Sequence, residues 1–180
     1  MTDRKYPLFI LFGTSGSGKS TIISRLVGNQ DLVIVMEGDL LWRKEFNTPE
    51  NGYREFRDLW LKMCLHITRG SKPVLLSQCG EPFHYEASPL RQNFSKIYYL
   101  ALICDNEELR KRLKERPASR DCSSNQYIKE HQIYNNWLKE NASTTSPPMD
   151  LIDNTSMSIE ETASKVMEWL NDKVGISERK

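Results

Sequence analysis

The sequence predicts an α/β domain built on a five-stranded parallel sheet with helices on both faces, and two observations carry that prediction. Short apolar runs rich in Val, Ile, Leu and aromatic residues alternate with stretches of helical periodicity, the order that repeated strand–helix crossovers produce. The runs are continuously apolar rather than alternating, as strands covered on both faces require. No internal repeat or linker-like shift of composition interrupts the 180 residues, so one domain over 1–180 is expected.

The five strand candidates are Leu8 to Phe12, Leu32 to Met36, Val74 to Ser77, Ile97 to Ile103, and Leu151-Ile152. A helix with apolar positions Ile22, Ile23, Leu26 and Val27 is expected after the first. Tyr53, Phe56, Leu59, Trp60, Met63, Cys64 and Ile67 keep 3.6-residue spacing until Gly70 and Pro73 end the segment. Asp105, with Glu108 three residues on, opens a helix whose Leu109 and Leu113 face inward and which Pro117 stops. Tyr127, His131, Tyr134 and Leu138 mark another. Ser158 with Glu161 reads as the capping box of the last helix, Ser158 to Asn171. His66 and His131 are expected to pack at the edge of the core.

Composition narrows the function. Lys and Arg total 25 against 24 Asp and Glu, which excludes a strongly basic nucleic-acid tail and an acidic solvating tail. No apolar run approaches the roughly 18 residues of a membrane span. The charged start leads into only five apolar residues before Gly13, unlike a secretory signal. Cys64, Cys79, Cys104 and Cys122 are scattered without a CxxC pair or nearby His. Reduced thiols in a cytoplasmic protein are expected, and a zinc site is not.

Gly13-Thr14-Ser15-Gly16-Ser17-Gly18-Lys19-Ser20 fits GxxxxGK[ST], directly after the first strand and opening a helix. Glycines let backbone N–H groups converge on phosphate oxygens, and the helix N-terminus adds its positive end. Lys19 is suited to the outer phosphates and the Ser20 hydroxyl to Mg²⁺, with Thr21 just behind. A bare strand-to-helix turn has no need of Lys and then Ser at these positions. A nucleoside triphosphate ligand follows.

The guanine-reading NKxD of a small GTPase and the LSGGQ signature of an ABC-type ATPase are absent, and 180 residues leave no room for the helical lid domain of an AAA+ machine. The chain resembles the small P-loop kinases, the group of nucleoside, nucleotide, shikimate and gluconate kinases. The resemblance implies a three-layer fold with an arginine-bearing lid, here at about 112–126, and Mg-ATP as phosphoryl donor. In Glu37-Gly38-Asp39-Leu40-Leu41-Trp42-Arg43, it implies that Asp39 meets the acceptor hydroxyl or the Mg²⁺ shell; a helix N-cap is the other reading of that Asp. It makes Arg112, Arg116 and Arg120 candidates for closing over the phosphates, since guanidinium geometry suits phosphate oxygens. It also makes Asn154 and Thr155, after the last strand, candidates for contact with the base.

One departure stands out. The end of the third strand reads Ser77-Gln78-Cys79-Gly80-Glu81, without the Asp that many P-loop proteins place there. Mg²⁺ is then held by Ser20, phosphates and waters with Asp39 nearby, or Glu81 substitutes. The acceptor side is expected from Trp42, Arg43, Arg57, Gln78 and Glu81, a set that suits a nucleoside or nucleotide through stacking, amide pairing and Arg on phosphate. The DGFPR-type segment of adenylate kinases is missing. The expectation is thus a cytoplasmic Mg-ATP-dependent kinase that moves the γ-phosphoryl to a hydroxyl or phosphate of a small, nucleoside-like acceptor, a monomer or homodimer. Its alternatives are a polynucleotide 5′-hydroxyl kinase, against which the balanced charge argues, and an ATP-binding regulatory module without turnover.

Overall fold

A computed structural model describes residues 5–28, 32–70, 72–117 and 122–178. Five parallel strands form one sheet: β1 (Leu8–Phe12), β2 (Ile34–Glu37), β3 (Val74–Ser77), β4 (Ile97–Ile103) and β5 (Asp150–Asp153), in the order β2-β3-β1-β4-β5. In register, Leu8 stands opposite Val74 on one side and Ile97 on the other. The α-helices are α1 (Lys19–Leu26), α2 (Arg54–Thr68), α3 (Pro82–Glu86), α4 (Asn106–Lys114), α5 (Asn125–Asn141) and α6 (Ile159–Glu178).

The central strand explains why its sequence is apolar throughout. All five residues of β1 are 0% exposed, and successive side chains serve opposite faces. Leu8, Ile10 and Phe12 pack with Phe56, Trp60, Tyr99 and Leu138 of one layer. Phe9 and Leu11 pack with Ile22, Leu26, Val166 and Leu170 of the other. Each such side chain contributes about 1.5–3 kcal/mol by leaving water, so neither layer is dispensable. A smaller cluster of Leu109, Leu113, Cys122 and Ile128 seats α4 against α5.

The capping signals act as read: Asp105 accepts from the Glu108 N–H at 2.8 Å, and Ser158 and Glu161 bond each other's backbone N–H groups reciprocally. Four expectations are corrected. β2 runs from Ile34 to Glu37 rather than from Leu32 to Met36, because its pairing with β3 runs from Ile34–Val74 to Glu37–Ser77. Tyr53 precedes α2 in a left-handed conformation (φ 58°) and is exposed, so only Phe56 of that pair joins the core. His66 is exposed on α2 rather than at the core edge. Residues 38–51 form three short 3₁₀ turns, and Asp39 lies inside the first of them instead of capping an α-helix. Among the described residues no helix is long and apolar enough to cross a membrane.

Candidate active site

The C-terminal ends of all five strands open onto one crevice, where ligands of open parallel sheets bind. The glycine-rich loop between β1 and α1 forms its middle. Gly16 and Gly18 take positive φ, 88° and 97°, which side chains disfavour; a Cβ on Gly16 would also meet Leu109 at 2.9 Å. Gly18 is the N-cap of α1, so the helix presents its free N–H groups at Lys19 and Ser20. The Lys19 ammonium donates to the carbonyls of Gly13 (2.5 Å) and Thr14 (3.1 Å). Ser17 is fully buried, and its hydroxyl has no partner among the described residues.

Side chains from distant elements hold this loop. The Asn154 amide donates to the Ser17 carbonyl at 2.8 Å. Arg112 in turn grips Asn154 twice, at side-chain and backbone oxygens (3.0 Å each), while its Nε pairs with Glu108. Arg116, just beyond α4, donates to the Ser15 hydroxyl at 2.7 Å. On the far side His131 of α5 meets the Thr14 hydroxyl at 2.9 Å. Burial and the neighbouring Lys19 push the His131 imidazole down to about 4. Gly18, Thr21, Arg112, Arg116, Asn154 and Thr162 line a cavity of about 300 Å³ beside the loop.

A second cavity, of about 1040 Å³, opens on the other side of the loop, lined by Asp39, Trp42, Arg57, Gln78, Glu81 and Tyr134 among others. Next in the chain to its Asp39 and Gln78 lies a tight splice between β2 and β3. The Gly38 N–H donates to the Ser77 hydroxyl, the Trp60 indole donates to the Gly38 carbonyl at 2.9 Å, and a Cβ on Gly38 would lie 2.1 Å from the Ser77 carbonyl. Trp42 stands edge-on to Phe56, ring centres 5.1 Å apart, and is 43% exposed toward the cavity. Arg57 donates to the Gly52 carbonyl and lies over the Tyr85 ring. Its Nε is buried without a partner among the described residues, and burial lowers its proton affinity. Cys79 joins the two sides: it lines this cavity and donates its thiol hydrogen to the Gly13 carbonyl at 3.2 Å.

The sequence-expected residues are therefore sorted by place. Asp39, Trp42, Arg57, Gln78 and Glu81 share one cavity, and Arg112, Arg116, Asn154 and Thr21 the other. Arg43 lines neither; it is exposed and starts the second 3₁₀ turn. Thr155 also lies outside the smaller cavity, where its hydroxyl accepts from the Asp105 N–H and donates to Asp153. Ser20 is exposed in the first turn of α1. Arg120 lies outside the described residues. Three residues were missed. His131, expected at the core edge, reaches Thr14 instead, and no local signal ties α5 to a loop 117 residues away. Tyr134 brackets the Gly80 backbone through its hydroxyl. Glu37, whose carboxylate accepts from Ser77 at 2.6 Å, supplies an acid beside the strand end that lacks the expected Asp. No cluster of three or more His, Cys, Asp or Glu suited to a metal occurs among the described residues.

Fold and loop define a P-loop nucleotide-binding domain of the small-kinase architecture. A family model described as an AAA domain matches residues 10–136, and the chain belongs to that family. The match spans the sheet centre and loop and says nothing of the helical lid domain that the length argument turned away. Among solved structures, the chain is similar to a sugar kinase from Janibacter sp. HTCC2649 (17% identity, TM-score 0.61, covering 93% of this chain and 95% of that one). It is also similar to a gluconokinase from Sinorhizobium meliloti 1021 (18%, 0.59, 94% and 94%) and to a shikimate kinase from Acinetobacter baumannii in complex with shikimate (14%, 0.58, 95% and 96%). No curated protein matches the chain in sequence.

Proposed function

We propose that this protein is an Mg-ATP-dependent phosphotransferase that moves the γ-phosphoryl group to a hydroxyl of a small molecule. The observation that carries the reading is a phosphate-binding loop with one cavity beside it, at Asn154 and Arg112, and a larger cavity around Asp39 tied to the loop by the Cys79–Gly13 hydrogen bond. A donor site and an acceptor site on either side of a loop that cradles phosphates is what direct transfer needs, because reacting atoms must meet in line. The buried side-chain polar atoms without partners among the described residues, on Ser17, Arg57, Gln78 and His131, all belong to the loop, its neighbour on α5 or the larger cavity. Unpaired buried polar groups cost stability, and their concentration here marks a place built to meet polar ligands.

The loop and donor set fit the triphosphate: backbone N–H groups at a helix N-terminus, Lys19, and two arginines. They also fit Mg²⁺, with the Ser20 hydroxyl as a ligand and Glu37 and Asp39 as nearby acids, the remainder of the shell coming from phosphate oxygens and water. Bound there, Mg²⁺ supplies charge neutralisation for the transferring group. Lys19 exchanges its loop carbonyls for phosphate oxygens. Arg116 leaves Ser15 to stabilise charge as it spreads over the transferring oxygens. Asp39 accepts the acceptor hydroxyl's proton as the new P–O bond forms. Asn154 and Arg112 shape the wall against the base. Arg57, Gln78 and Glu81 orient the acceptor, and Trp42 offers it an aromatic face, which favours a nucleoside-like molecule. A single domain over 1–180, with a lid near 112–126, belongs to this reading.

Incubation with γ-labelled ATP, Mg²⁺ and pooled nucleosides, nucleotides, sugars and aminoglycosides tests it, with Lys19→Ala as control. Label on one pool above the control names the acceptor class. Label on none of them refutes the small-molecule kinase.

A further inference from the structure

We propose that His131 is a positioning residue for the phosphate-binding loop and the site of a proton taken up with the nucleotide: its neutral ring holds Thr14, and phosphate charge arriving beside Lys19 and Arg116 lets that ring protonate. The inference rests on the reading of the loop as a triphosphate site.

The geometry comes first. His131 projects from α5 so that Nδ1 lies 2.9 Å from the hydroxyl of Thr14, a loop residue only 1% exposed. The carbonyl of the same Thr14 accepts from Lys19, so one residue joins the imidazole to the phosphate-binding ammonium. The ring is wedged edge-to-face against Tyr127, centres 4.1 Å apart, which leaves it little rotational freedom. Its Nε2 is buried and has no partner among the described residues. An orphaned lone pair is tolerated better than an orphaned N–H. The hydrogen of the neutral ring therefore sits on Nδ1 and is donated to Thr14, and Nε2 carries a free lone pair.

The charges set the direction. Lys19 and Arg116 oppose a proton on this ring, and Glu130 beside it on α5 favours one; Tyr127 contributes only its ring face. Burial, the largest cause, acts with Lys19 and Arg116 against the one carboxylate and keeps the imidazole neutral, in line with its value near 4. A triphosphate brings several negative charges to the same two cations; it offsets their opposition and raises the ring's proton affinity against the burial that remains. A proton from solvent then adds to the Nε2 lone pair with no bond broken. By linkage, a group whose affinity for protons is raised by a ligand makes that ligand bind more tightly as pH falls. The effect begins above pH 4, the value for the ring without the ligand, and fades where the ligand-bound ring itself deprotonates.

The test titrates MgADP into the full chain by calorimetry between pH 5 and 8, in buffers of different ionisation enthalpy, with wild type and His131→Gln. Net proton uptake in the wild type, absent in the variant, is expected, with affinity rising about three- to tenfold more between pH 8 and 5 in the wild type. A ring that serves packing alone would leave the two pH profiles parallel, and that result overturns the proposal. Should the variant fold poorly, proton NMR on the wild type decides. The chain has three histidines, His66, His84 and His131, and substitution of the other two assigns the signal. Its midpoint must move upward when MgADP is added; an unmoved midpoint refutes the coupling. Failure of MgADP to bind at all overturns both this inference and the kinase reading, whereas binding without uptake overturns this inference alone.

Discussion

The two cavities beside the phosphate-binding loop are built differently. In the smaller cavity, the proposed nucleotide side, Asn154, Arg112 and Arg116 are already engaged: Asn154 with Ser17, Arg112 with Asn154 and Glu108, Arg116 with Ser15. In the larger cavity, the proposed acceptor side, Arg57 Nε and the Gln78 amide nitrogen stand buried and unpaired among the described residues, and the wall is aromatic and partly exposed. A site for a common ligand is preorganised within the protein, which lowers the cost of binding. A site for a particular ligand keeps donors in reserve, and those donors reject molecules that leave them unpaired.

The comparison can be broken in four ways. Lys19→Ala removes the cation of the phosphate-binding loop, and a fall in kcat of about 10³-fold is expected, measured by label transfer. Asp39→Asn should lower transfer by about 10²-fold with the affinity for ATP retained; equal losses of binding and transfer would mean that the sides are not separate. Asn154→Ala removes the brace between Ser17 and Arg112, and a roughly tenfold weaker affinity for ATP is expected with the acceptor KM unmoved, read by calorimetry and initial rates. The smallest effect is on stability. The His131 ring titrates near 4 in the folded chain against 6.5 in the unfolded one. The unfolded chain therefore binds the extra proton between those values, and stability falls as pH drops from 6.5 toward 4. The midpoint of thermal unfolding should decline over that window less steeply in His131→Gln than in the wild type.

The buried side of this molecule was open to sequence reasoning because burial writes a pattern. β1, β3 and β4 lie where their apolar runs stand, residue for residue, and the loop motif couples residue type to backbone conformation within eight positions. The 38–51 segment was not legible as three 3₁₀ turns, since its order rests on contacts with α2 and not on a period of its own. Arg43 and Thr155 show the limit from another side. Both residue types suit their expected roles, yet the direction of a side chain beyond a strand end depends on the turn that follows. His131, Tyr134 and Glu37 act through partners between 40 and 117 positions away, and a single sequence carries no record of such pairs.

The splice at Gly38 has a consequence for how this protein changes over generations. Gly38 is the only buried residue of the three turns from 38 to 51, and it locks the strand end from which Asp39 emerges. Behind it, Trp42, Pro49, Glu50, Asn51 and Tyr53 form a rim of the larger cavity outside the core clusters. Inheritance is thus divided into a conservative part and a permissive one. On the proposed kinase reading, a lineage can rewrite the rim and take up a new acceptor while the phosphate-binding loop passes on untouched, and a combinatorial library confined to those five positions should explore acceptors at little cost in folded protein.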